Sequence, residues 1–129
     1  MNTVTFILGA AATGKTTKAN ELVRGKKCFH MQSVKQKFYY KIPVDTEVIL
    51  IDGFILSDLE DLKVLITSPY ISIEKRGFDP VVIDRPEIIV ASQYFLTSSV
   101  IYPRPHYTYI YCKKRQSPCF SPEIQPSYL

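Results

Sequence analysis

The stretch Gly9-Ala10-Ala11-Ala12-Thr13-Gly14-Lys15-Thr16 follows directly on the apolar run Val4 to Leu8 and fits the spacing GxxxxGK[ST]. No other part of the chain restricts the fold as much. A short apolar, partly β-branched run closed by glycine reads as a buried strand. The segment Lys15 to Val23 holds good helix formers, carries Ala19, Leu22 and Val23 on one side, and meets a stop at Arg24-Gly25, so a helix is expected there. In the order strand, glycine loop, helix, main-chain N–H groups converge on phosphate oxygens and the helix start adds positive potential. The expectation is a nucleoside triphosphate site, most simply for ATP with Mg²⁺. Lys15 would reach the β and γ phosphates, the Thr16 hydroxyl would ligate the metal, and Thr17 would add a further contact at the helix start.

Further buried strands support an α/β fold. Val48-Ile49-Leu50-Ile51 is a continuous apolar run ending in Asp52, and Ile88-Ile89-Val90-Ala91 is another, ending in Ser92-Gln93. Such runs are typical of parallel strands covered on both faces. Tyr107 to Cys112 reads as a last strand of alternating aromatic and small side chains. Between them, Ser57 to Ile66 reads as a helix, with Ser57 and Glu60 spaced as a capping box and Leu59, Leu62, Val64, Leu65 and Ile66 as its apolar positions; Pro69 prevents its continuation. Tyr70 to Ile83 alternates and reads as a β-hairpin with a basic turn around Glu74 to Asp79. Lys26 to Lys41 is mixed, giving only a strand near Cys28 to Met31 and a short helix after it.

At 129 residues, 46% of them hydrophobic and 22% charged, the chain is the size of one ordinary globular domain. Residues 1–115 read as one core and 116–129, proline-rich and nearly free of charge, as a flexible tail. Cys28, Cys112 and Cys119 are odd in number and lack metal-ligand spacing, which points to a reducing, intracellular compartment such as the cytoplasm. The apolar start lacks the basic residues of a secretion signal and runs into the glycine loop, and no uncharged run reaches membrane-spanning length, so no membrane role is expected. A net charge of +4 favours a polyanion without demonstrating one. Basic residues cluster at Lys35 to Lys41, at Lys75 and Arg76, and at Lys113 to Arg115; any single cluster is read first as solvated surface. Phe38, Tyr39 and Tyr40 beside Lys37 and Lys41 could stack on bases, although core packing is the commoner use of such rings. His30 and His106 are isolated and receive no role.

Parallel strands deliver their carboxyl ends to one edge of a sheet. Asp52 is therefore expected beside the phosphate loop, holding Mg²⁺ or its water, and Gln93 is expected to face the γ-phosphate and orient water. The residue after Asp52 is Gly53, where many ATPases carry an acid that polarises the attacking water.

The order of phosphate loop, strand ending in Asp52, basic hairpin Ile73-Glu74-Lys75-Arg76-Gly77-Phe78-Asp79-Pro80 and strand Ile88 to Gln93 resembles the superfamily 3 helicase core of small-virus and plasmid replication proteins, over about residues 3 to 112. The resemblance implies an AAA-like P-loop NTPase fold, a mostly parallel central sheet flanked by helices with a β-hairpin insertion. It further implies an ATP-driven homo-oligomeric ring, usually hexameric, in which Lys75 and Arg76 touch single-stranded DNA or RNA during replication. Arg104 matches the arginine that such rings supply to a neighbour's γ-phosphate, with Arg115 as the fallback. Where the family has a terminal asparagine this chain has Gln93, and where it has paired acids this chain has Asp52-Gly53. No origin-binding, nickase or helical oligomerisation part is read in the sequence, so the expectation is that either partners supply them or the activity has been lost.

Two other functions share the loop. A small nucleotide-dependent kinase would need an arginine lid, and Arg76, Arg85 and Arg104 are scattered along the chain. A nucleotide-binding interaction module without turnover would account for Gly53.

Overall fold

The computed structural model describes residues 3–10, 14–93 and 104–112. The tail 116–129 and Arg115 lie outside the described residues, as do Ala11, Ala12 and Thr13 of the loop. Strands β1 (Val4–Leu8), β2 (Cys28–His30), β3 (Val48–Asp52), β6 (Glu87–Ser92) and β7 (Tyr107–Tyr111) form a five-stranded sheet in the order β2-β3-β6-β1-β7, every adjacent pair parallel. A separate antiparallel pair, β4 (Tyr70–Ile73) and β5 (Val81–Asp84), makes the hairpin. Helix α1 spans Lys15–Leu22 and α2 spans Leu59–Thr67.

Why the apolar runs are continuous follows from the layers. Alternate residues of the strands face opposite sides, and both sides are covered. Phe6, Leu8, Ile49, Ile51, Ile88 and Val90 pack with Leu62, Leu65 and Ile66 of α2, with Ile71 and Ile73 of the hairpin, and with Tyr39 and Ile42. Ile7, Val48, Leu50, Ile89 and Ala91 face the other way, toward Ala19 and Leu22 of α1 and Val23 at its end. Burying a side chain such as Phe6 or Ile49 is worth about 1.5–3 kcal/mol. Phe6 is additionally fixed by rings from β7, edge-on to Tyr107 and stacked on Tyr109.

The entry to α2 differs from the sequence expectation. A 3₁₀ turn, Leu56–Asp58, leads into the helix, the capping position is Asp58, and no side chain caps the start. The turn's own bonds, such as Asp58 N–H to the Ile55 carbonyl at 3.1 Å, already engage the first amides, so the Ser57–Glu60 box is not formed. Val64, expected on the apolar face, is 54% exposed. The far end closes as expected before Pro69: the Thr67 and Ser68 hydroxyls donate to the carbonyls of Lys63 and Val64, both at 2.7 Å. Among the described residues no helix is long and apolar enough to cross a membrane, and Cys28 and Cys112 are free thiols.

Candidate functional site

Because β6 lies between β1 and β3, its carboxyl end separates the loop from Asp52 and ties both down. Gly9 N–H donates to the Ser92 carbonyl at 3.2 Å, fixing the start of the loop. On the other side Phe54 N–H donates to the Ala91 carbonyl at 3.5 Å. Gly14, which opens α1, has φ 87 and ψ 18. That left-handed conformation is strained for a residue with a Cβ, although nothing lies within 4 Å of where one would stand, so conformation and not space selects glycine here.

Lys15 reaches back to the start of the loop. Its Nζ donates to the carbonyls of Gly9 at 2.9 Å and Ala10 at 2.7 Å, which leaves one of the ammonium's three donors. Thr16 Oγ1 donates to Asp52 Oδ2 at 3.1 Å, joining residues of β3 and α1 that are 36 positions apart. Thr17 is exposed on the first turn. Lys15, Asp52 and Gln93 line a cleft of about 270 Å³ together with Gly53, Phe54 and Ile55. Gln93 is exposed at the end of β6. The fold thus gathers four sequence-selected side chains, Lys15, Thr16, Asp52 and Gln93, at one edge. Phe54 and Ile55 as cleft walls were not anticipated; the signal was Gly53, whose φ of 76 turns the chain sharply after Asp52.

Beside the loop, Cys112 N–H donates to the Leu8 carbonyl at 2.7 Å. Burial pushes the Cys112 thiol up, against the pull of Lys15 and Lys18, so it is not an activated nucleophile.

Arg104 does not join this group. It precedes β7, its carbonyl accepting from Tyr107 N–H at 3.0 Å, and Tyr107 pairs with Val4 at the amino end of β1. The length of a five-residue strand, roughly 16 Å, separates that edge from the loop. Arg104 is exposed at that edge, apart from its own cleft. Arg85 is 1% exposed, its guanidinium donating to the carbonyls of Ser68 at 3.1 Å and Pro86 at 2.7 Å. With Arg76 on the hairpin, the three arginines of the kinase reading occupy three different places and form no lid.

Lys75 and Arg76 stand exposed at the hairpin tip. Phe78 N–H closes the turn on the Lys75 carbonyl at 3.0 Å, and Gly77 has φ 84, the conformation that the third place of a type II turn demands.

No protein-family model matches the chain, and no curated protein matches it. Solved structures do. The NrS-1 C-terminal region in its apo A form superposes with a TM-score of 0.63 at 14% identity, over 94% of this chain and 32% of that one. The JCV helicase bound to an N-phenylacetamide derivative superposes with a TM-score of 0.60 at 16% identity, over 88% of this chain and 36% of that one. A second structure of the NrS-1 region gives 0.52 at 10% identity, over 94% of this chain and 31% of that one. The chain spans about a third of the length of the structures it matches. At such identities the likeness is one of architecture: this chain has a helicase-like α/β fold with a parallel central sheet.

Proposed function

We propose that this chain is a P-loop ATPase core of the superfamily 3 helicase type, which binds Mg-ATP at the carboxyl edge of its sheet and acts on single-stranded nucleic acid through its hairpin. One observation carries the reading: Thr16 and Asp52, expected from the sequence to hold the metal together, are hydrogen-bonded at 3.1 Å, and Asp52 lines the same cleft as Lys15. The donor set fits the group. A hydroxyl and a carboxylate are hard oxygen donors of the kind Mg²⁺ takes, and their small number leaves positions for water and phosphate oxygens. When bound, the metal would neutralise charge on the phosphates.

The chain's own residues supply the rest. The Gly9–Thr16 loop and the start of α1 bind phosphate through N–H groups, and Lys15 adds a positive charge that its bonds to Gly9 and Ala10 already hold in place. Gln93 orients water with its amide and cannot take the proton from it. Arg104, at the opposite edge, serves the cleft of a neighbouring copy in a homo-oligomeric ring. Lys75 and Arg76 hold strand phosphates. Replication in a host cell's interior is the setting this reading implies, and the helicase and NrS-1 structures lend it support through fold.

The test is ATP turnover with and without single-stranded DNA. Wild type is expected to be stimulated, Lys15→Ala to be inactive, and Lys75→Ala with Arg76→Ala to keep basal turnover while losing stimulation. Equal stimulation of wild type and the hairpin variant would remove the nucleic-acid half of the reading.

Gly53 favours a second version, a nucleotide-binding module with little turnover. Its φ of 76 costs an ordinary L-residue about 1–2 kcal/mol, so the second acid is absent where the backbone resists one. Aspartate tolerates this region better than glutamate. Gly53→Asp is expected to raise turnover if only the missing acid limits it; unchanged turnover with ATP still bound would favour the module.

A further inference from the structure

A second cleft, of about 350 Å³, opens where β2 ends, and it shares no residue with the phosphate site. Phe29, Met31 and Phe38 give it apolar walls, and His30, Gln32 and Lys41 bring polar groups to it. Local sequence builds this wall. In the 3₁₀ turn Gln36–Lys41, Tyr39 is 5% exposed and Ile42 after it fully buried, which anchors the turn to the core. Their neighbours Lys37, Tyr40 and Lys41 are left on the surface, with Phe38 half-buried. The Nζ atoms of Lys37 and Lys41 each lie 5.3 Å from the centre of the Phe38 ring. The nearby carboxylates of Asp58 and Asp61 are taken by Lys35, at 3.6 Å and 3.4 Å. Among the described residues Lys37 and Lys41 make no ion pair, so two cations and an aromatic ring stand together without a counter-charge. The strand order puts the end of β2 three strand spacings, roughly 14 Å, from the end of β1, on the same edge of the sheet.

We infer that this cleft seats one nucleotide of a single-stranded nucleic acid, its base against Phe38 and its flanking phosphates on Lys37 and Lys41. The inference rests on the single-strand reading above and adds a contact apart from the hairpin. An aromatic ring offers any base a face, and two unpaired ammonium groups attract the backbone, the combination that holds single strands without sequence preference. A base that enters displaces an ammonium from the ring face, and the freed lysine turns to phosphate. The cleft's volume lies within the range of small-molecule pockets and accepts one base.

The test uses the full chain and a fluorescent oligothymidylate carrying one 5-iodouracil. Photocross-links are expected on Phe38 or His30. Phe38→Leu, which keeps apolar bulk, is expected to weaken binding about 5-fold or more with the salt dependence unchanged. Lys37→Gln with Lys41→Gln should lower the slope of log affinity against log salt by about 1.4. Should Phe38→Leu fail to fold, the lysine pair, both exposed, decides the matter. Cross-links confined to the hairpin, with both variants binding as wild type, would overturn the inference and leave the proposed function standing. Competition by free thymidine monophosphate as strong as by the oligomer would make this a mononucleotide pocket and equally overturn it. Normal ATP binding with no strand binding at all would remove this inference and the hairpin claim together, sparing the phosphate site.

Discussion

At the proposed phosphate site Lys15 is held by two carbonyls and Thr16 by Asp52. At the hairpin tip Lys75 and Arg76 project into solvent from a turn closed by one main-chain bond. On the proposed function, the difference is what a small, dense anion and a long, flexible one would require. A triphosphate would be bound at fixed points, so its donors would gain from being placed beforehand by β1, β6 and β3. A strand slides and varies, so its cations work best when free to follow it, with salt as their main competitor. Even the glycines divide this way: Gly14 sets the entry to α1, whereas Gly77 lets a tip turn back.

Substitutions should separate the two regions. The largest effect is expected from Phe6→Ala in β1, which removes a fully buried ring between Tyr107 and Tyr109 and should lower unfolding stability by about 3–5 kcal/mol in a denaturant titration. Asp52→Ala should weaken nucleotide binding about 10-fold or more in the presence of Mg²⁺ and much less in its absence, which titrations with and without a chelator would read. Lys75→Ala with Arg76→Ala should leave the unfolding midpoint almost unmoved, within about 0.5 kcal/mol, while lowering the salt slope of strand binding by about 1.4. A pH effect confined to alkaline solution is expected as well. Burial, and then the Asp61 carboxylate, pushes the Tyr39 phenol up to about 12. Between its ordinary value of about 10 and that value, the unfolded chain loses a proton that the folded chain keeps, so stability should fall as pH rises through this window. Tyr39→Phe should flatten that part of the curve in alkaline unfolding experiments.

Much of this edge was legible in the sequence because its signals are local. The loop, the apolar runs of β1, β3 and β6, and the carboxyl-terminal placement of Asp52 and Gln93 all follow from spacing and from the rule that parallel strands share an edge. The hairpin was legible because alternation and Gly77 mark it within a few residues. What the sequence did not disclose depends on long-range pairing. Nothing in residues 87–92 says that β6 inserts between β1 and β3, and that insertion is what sets Gln93 between Lys15 and Asp52. The distance of Arg104 from its own cleft follows from the direction of β7 beside β1. The expected Ser57 cap failed for a local reason, a 3₁₀ turn that engages the first amides. The cleft beside Phe38 is assembled from two weakly patterned segments, β2 and the turn Gln36–Lys41, and only their packing brings His30 to the same wall as Lys41.

Calorimetric titration of ATP into the full chain, with Mg²⁺ and with a chelator, beside the same titration of Lys15→Ala, addresses the phosphate site most directly. Saturable heat from wild type that weakens without Mg²⁺, and a loss of at least about 100-fold in Lys15→Ala, is the expected result. Indistinguishable titrations for the two proteins, or no heat from wild type with any Mg-bound nucleoside triphosphate, would contradict it.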